Sequence, residues 1–317
     1  MKIYNSLLEV TGNTPLVRLN KIEEKYNINN TLLAKVEMFN PSGSIKVRPA
    51  RNILLKALHE NVIDYNSVVI EATSGNMGVA LAFVCASIGL EFIAVMPENM
   101  SVERQKLILA YGAKIVLTKA SLGMKGAVDE ANRLKDATNG FIPSQFDNIN
   151  NPLAHYNETA EEIYTDTDGL VDVVVAGIGT GGTISGIGKN LKEKKEVKVI
   201  GVEPKNSPLL SLGVAGKHKI QGIGANFVPN TLDLDVVDYI ETVSDDDAIR
   251  LSRELATLEG LFVGISSGAA LVGAIEYIKE NNLKDKVIVV ILPDTGERYL
   301  STELVYEWEK YRLFLGK

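Results

Sequence analysis

Val287-Ile288-Val289-Val290-Ile291-Leu292 is an unbroken run of six aliphatic residues. A strand with water on one face alternates apolar and polar positions. One with no polar position is covered on both faces, as in a parallel sheet flanked by helices. Mostly apolar runs recur at Leu32–Phe39, Val68–Ala72, Phe92–Pro97, Lys114–Leu117, Asp172–Ala176 and Val197–Glu203. Helical patterns separate most of them, and strand and helix alternate through the chain. The reading is an α/β protein built from parallel-type sheets of roughly four to six strands each, covered by helices. Ile142–Phe146 is expected to form a further strand edge, and 205–235 a long irregular connection. Asp294–Arg298 should turn into a C-terminal helix containing Trp308. Ser44, Ser101 and Ser244 are candidate helix N-caps.

Composition narrows the function classes. The 317 residues are 45% hydrophobic and 23% charged, which suits a large buried core in one or two domains. The net charge of −7, with no basic block, argues against a nucleic-acid partner. Met1–Ser6 does not read as a signal peptide, and no apolar run is long enough to span a membrane. With Cys85 alone, no internal disulfide or cysteine-based metal site is expected, and a reducing, cytoplasmic setting fits. His59, His155 and His218 lack metal-ligand spacing, so no metal is expected.

Four junctions between strand and helix could carry chemistry. Asn40-Pro41-Ser42-Gly43 is turn sequence, and Lys46 follows in the first turn of a helix. A cation there opposes the helix dipole, so the position needs a reason. Gly177-Ile178-Gly179-Thr180-Gly181-Gly182-Thr183 lets backbone approach a ligand, and free N–H groups at a helix start attract phosphate. Thr73-Ser74-Gly75-Asn76 offers hydroxyls and backbone donors to a carboxylate. Gly264-Ile265-Ser266-Ser267-Gly268 is the fourth; Ser266 or Ser267 could simply cap the helix. Together they suggest one amino-acid-sized site with an anionic cofactor and a Schiff-base lysine. A competing reading uses Gly177, Gly179, Gly182 and Glu203 as a nicotinamide-dinucleotide fingerprint.

Over nearly its whole length the chain resembles the cysteine synthases and cystathionine β-synthases, which are fold type II pyridoxal phosphate (PLP) enzymes. The resemblance is carried by Gly12–Leu16, Asn40–Lys46, Thr73–Asn76, Gly179–Thr183, Ile220–Gly224, Gly264–Gly268 and Leu292–Asp294. It implies that Lys46 carries PLP and then acts as base on Cα of the substrate. Gly179, Thr180, Gly181, Gly182 and Thr183 would cradle the phosphate, Asn76 would meet the 3′-oxygen, and Ser266 would face the pyridine nitrogen. Thr73, Ser74, Gly75, Met77, Gln145, Gly222 and Asn226 would line the substrate side, with Thr73, Ser74 and Gln145 on the carboxylate. Asp294 would close a strand near the ring. The implied activity is β-replacement through an aminoacrylate, first of all cysteine from O-acetylserine and sulfide. A homodimer is also implied, with a smaller mobile substrate domain at 41–146 and a larger phosphate-binding domain at 1–40 plus 147–317.

The chain departs from the family pattern at several points. Val47 stands in place of Asp, Met77 in place of Thr, Asn226 in place of Gly, and Glu158 where Thr is usual. Pro152–Tyr156 leans toward the cystathionine branch. These differences keep open cysteine or serine as donor, with a thiol amino acid or water as second substrate, releasing hydrogen sulfide and forming lanthionine, cystathionine or serine. They also keep open a catalytically silent binding protein. Cys85 is expected in the core and His59 and His218 at the surface, with His155 shaping the site mouth.

Overall fold

The structure, a computed structural model, describes residues 3–73 and 75–305. Ser74, Trp308 and the expected C-terminal helix beyond residue 305 lie outside them. Among the described residues nine strands form two sheets. The larger runs in spatial order β1 (Leu16–Arg18), β2 (Thr31–Val36), β9 (Val287–Leu292), β6 (Val173–Gly177), β7 (Lys198–Pro204) and β8 (Tyr239–Val243). Only β1 is antiparallel to its neighbour. The smaller sheet is β3 (Val68–Ala72), β4 (Glu91–Pro97) and β5 (Lys114–Thr118), all parallel.

The aliphatic run at 287–292 is the reason β9 sits mid-sheet. Ile288, Val290 and Leu292 enter one hydrophobic cluster, while Val289 and Ile291 enter another on the opposite face. Each such side chain contributes about 1.5–3 kcal/mol when fully buried, so a polar residue would be costly at any of the five.

Four expectations about elements need correction. The smaller sheet has three strands, extended only by a single-residue bridge between Val69 and Phe141. Pairing ends at Phe141, and Ser144 then turns the chain away from the sheet in a left-handed conformation, φ 53°. The strand expected over 32–39 stops at Val36, and Glu37–Phe39 form a 3-10 turn. Glu37 forces that stop: wholly buried, it accepts hydrogen bonds from Thr14, Asn40 and Arg48. Ser44 does not cap the following helix, Val47–His59; it forms an isolated bridge to Asp294 instead. Ser101 and Ser244 do cap their helices, each accepting from the N–H three residues on. The 205–235 connection is irregular apart from short turns at Leu209–Leu212 and Leu234–Val236.

A consequence of this topology is that the carboxyl ends of β2, β9, β6, β3 and β4 all lead into loops lining one cavity. In α/β sheets that is the end where ligands bind.

Candidate active site

The cavity measures about 890 Å³. Lys46, Thr73, Gly75, Asn76, Met77, Gln145, Gly179, Thr180, Gly181, Thr183, Gly222, Asn226 and Ser266 line it. Gly182 sits just behind, as the first residue of the helix Gly182–Lys194. Residues from four distant junctions thus converge, while Ser74 falls outside the described residues.

Lys46 is the residue immediately before its helix, held by the turn that precedes it. Gly43 N–H bonds to Asn40 carbonyl at 2.7 Å, and Ile45 N–H to Pro293 carbonyl at 2.8 Å. The lysine turn is therefore fastened to the end of β9. Surrounding protein atoms push the Lys46 ammonium down to about 8 by desolvation, which favours a neutral amine.

The glycine loop has little freedom. A Cβ on Gly179 would lie 2.3 Å from the Gly222 carbonyl oxygen, and one on Gly182 would lie 2.2 Å from Asn151 Oδ1. Gly181 has φ +81° and faces Leu232. Asn151 Nδ2 donates to Thr180 Oγ1 at 3.0 Å and to the Gln145 carbonyl at 2.8 Å, joining the loop to the expected carboxylate residue. Thr231 Oγ1 donates to the Thr180 carbonyl at 2.6 Å. Behind the loop, His155 is wholly buried, with Nδ1 3.0 Å from Thr159 Oγ1 and Nε2 3.2 Å from Thr183 Oγ1. Burial, then the charges of Arg48 and Lys46, hold it well below the usual imidazole range, so it is neutral. It supports the loop and does not stand at the mouth. His218 is only half-buried but lines the cavity, with Nε2 3.2 Å from the Gly224 carbonyl; His59 is exposed.

On the facing wall, Thr73 is buried and Glu71 accepts the N–H of Ser144 at 3.1 Å and of Gln145 at 3.4 Å. Burial first, opposed by those N–H groups, pushes the Glu71 carboxyl up to about 7. Asn76 opens its helix and donates from Nδ2 to Asp294 Oδ2 at 2.6 Å. Ser266 is buried in the first turn of the helix Ile265–Glu280, which Gly264 precedes; neither Ser266 nor Ser267 caps it. Asn226 is exposed at the rim. Met77 lines the cavity yet belongs to the same hydrophobic cluster as Val47. Val47 is wholly buried there, so its substitution for Asp bears on packing. Cys85 is also in that cluster, and burial pushes its thiol up to about 12.

Two features decide between the cofactors the sequence left open. Glu203 is spent on structure: it accepts from Leu210 N–H at 2.8 Å, Ser211 N–H at 3.0 Å and Ser211 Oγ at 2.5 Å. A ribose hydroxyl would have to displace those donors. The glycine cradle, a lysine with a lowered pKa and a wall of small polar groups do fit a phosphorylated pyridine aldehyde. A family model described as pyridoxal-phosphate dependent enzyme matches residues 7–294. Cysteine synthase B of Campylobacter jejuni is 53% identical over 306 residues, covering 96% of this chain and 99% of that protein. The chain belongs to the cysteine synthase family of pyridoxal-phosphate dependent enzymes. Its cofactor is pyridoxal 5′-phosphate. Two solved structures place the fold in the same family. A cysteine synthase of Entamoeba histolytica superposes with a TM-score of 0.93 at 40% identity, covering 100% of this chain and 93% of that one. A hydrogen sulfide-producing enzyme of Fusobacterium nucleatum superposes with a TM-score of 0.89 at 45% identity, covering 94% and 100%.

Sequence reasoning missed the supports of this family's site: Glu71, Asn151, Arg298 and the Arg48 network. One signal was available, since Glu37 and Glu71 are single carboxylates inside apolar runs and a buried carboxylate needs donors.

Proposed function

We propose that this cysteine synthase family member replaces the β-substituent of a serine-type amino acid, first of all converting O-acetylserine and sulfide to cysteine. The observation that supports this best is that Lys46, the glycine loop and the Thr73–Gln145 wall open into one cavity. Pyridoxal phosphate, when bound, supplies an electron sink for charge developing at the substrate Cα. Gly179 to Thr183 would hold its phosphate at the helix start, Asn76 its ring oxygen, and Ser266 its pyridine nitrogen. A serine hydroxyl, unlike a carboxylate, does not favour a protonated ring nitrogen, which moderates the sink and suits prompt loss of a β-substituent. Thr73, Ser74 and Gln145 would bind the substrate carboxylate, with Gly75 beside them. Burial in the cofactor-free site lowers the Lys46 pKa to about 8, which suits an Nζ that holds and returns a proton close to neutral pH.

A second reading has cysteine as donor, with release of hydrogen sulfide. It is favoured by the Fusobacterium relative and by Asn226, a polar rim residue free to meet a second amino acid. The purified protein should carry a visible absorbance band that Lys46→Ala abolishes. Steady-state rates with O-acetylserine plus sulfide and with cysteine alone then choose between donors. A colourless protein that binds NADH would sink both readings.

We further infer a cytoplasmic homodimer whose segment 41–146 moves on substrate binding. In support of the moving segment, the smaller sheet packs on its own hydrophobic clusters; among the described residues no helix is long and apolar enough to cross a membrane. A hydrodynamic mass near that of the 34.4 kDa chain would contradict the dimer.

A further inference from the structure

Arg298 lies in the turn Gly296–Tyr299, just after β9. Its guanidinium donates in two directions. One Nη donates to Oδ1 of Asn76, at the start of the helix Asn76–Ile88. The other donates to the carbonyl oxygen of Ser42, in the turn that delivers Lys46. That turn presses against it: a Cβ on Gly43 would lie 3.0 Å from an Arg298 Nη.

The other end of the Asn76 amide is also engaged. Its Nδ2 donates to Asp294 Oδ2 at 2.6 Å, and the same oxygen accepts from Tyr299 Oη at 2.6 Å. Turning the amide over would place Oδ1 against a carboxylate and Nδ2 against a guanidinium. Both contacts would become repulsive, so the flip is fixed. Nδ2 keeps one further N–H, and Asn76 lines the cavity.

We propose that Arg298 is a positioning residue, which sets the Asn76 amide and the Lys46 turn at a fixed separation. The inference rests on the reading under which Lys46 and Asn76 meet adjacent atoms of one cofactor ring. A planar fork holds two acceptors on different chain segments at a fixed spacing; a lysine ammonium on a flexible stem does not hold that spacing. Asp294 completes the device by holding the Nδ2 end, and Tyr299 holds Asp294.

The test uses the holoenzyme and its visible band. Asn76→Ala, Arg298→Ala and the double variant are compared for band position, for the pH titration of the band, and for cofactor retention on dialysis. Arg298→Ala should move the band in the same direction as Asn76→Ala and weaken retention by about tenfold, the scale on which groups that orient a primary ligand act. The double variant should shift no further than Asn76→Ala. Arg298→Lys should not restore the band, whereas added guanidinium salt should partly restore Arg298→Ala. A band unchanged in Arg298→Ala, or shifts that add in the double variant, would overturn the proposal. If Arg298→Ala does not fold, Arg298→Gln keeps the size and one amide donor, and an unchanged band there overturns it equally. A wild-type protein without the band overturns the cofactor reading and this proposal with it. A normal wild-type band that ignores Arg298 overturns the positioning role alone.

Discussion

Arg48 and Glu37, both wholly buried, are joined by two 2.8 Å hydrogen bonds only two residues beyond Lys46. The same guanidinium donates to Glu162 at 2.6 and 2.7 Å, and Glu162 also pairs with buried Lys35 at 2.8 Å. These charges lock the Lys46 helix to β2 and to the segment around residue 160. Arg48→Ala would leave Glu37 buried with its charge uncompensated, and a loss of about 3–5 kcal/mol is expected. Urea denaturation checks it as a fall in midpoint at constant slope; a change under about 1 kcal/mol would contradict the assignment.

Lys46 should give the cofactor-free protein a distinctive alkaline profile. Its folded-state pKa near 8 lies below the ordinary 10.5. Below about pH 8 the amine is protonated in both states, and the cost of burying the charge is fully present. Between 8 and 10.5 the folded chain sheds its proton first, so stability rises with pH, by about 3 kcal/mol at most. Thermal unfolding of the apo-protein from pH 7 to 10.5 should show this rise, and Lys46→Met should flatten it.

The Glu71 carboxyl, pushed up to about 7 by burial, faces the N–H groups of Ser144 and Gln145. Its folded pKa exceeds 4.5, so it draws stability down as pH rises from 4.5 to 7, the opposite sign to a salt-bridged carboxylate. Ionisation also tightens its grip on both amides. KM for the amino-acid donor should therefore fall as pH rises through 7. In Glu71→Gln that inflexion should vanish; if it persists, another group is responsible.

Gly179→Ala should separate the two backbone walls of the proposed cofactor site, because its Cβ would lie 2.3 Å from a carbonyl oxygen that has no side-chain freedom. Cofactor retention should drop at least tenfold, or about 1.4 kcal/mol, while far-ultraviolet circular dichroism stays unchanged. Full retention would mean that Gly222 moves aside at little cost.

How much of this was legible in the sequence follows from range. The apolar runs are local, so β9 and its parallel neighbours could be read directly. Lys46, Asn76, Gly179–Thr183 and Ser266 announced themselves as polar or glycine-rich breaks between strand and helix. What could not be read depends on residues meeting across long separations. Arg298 and Asn76 are 222 positions apart, and nothing in either local pattern names the other. The early end of β2 was hidden for the same reason: Glu37 stops the strand only because Arg48, Thr14 and Asn40 arrive to satisfy it. Val47 looked like a change beside the proposed Schiff-base amine, yet the helix turns it into the core, in the same cluster as Met77.

The space around the glycine loop is filled from three directions, by Gly222, Leu232 and Asn151. None of these is a sequence neighbour of residues 179–182, so the cradle has no existence in a partly folded chain. It forms only when the 151, 180, 222 and 232 segments have all docked, contacts of the kind that arise late because loop closure must come first. On the proposed assignment of this loop to the phosphate, the growing chain is thus unable to capture cofactor before most of it has been synthesised. The appearance of bound cofactor during refolding would serve as a clock for the last assembly step.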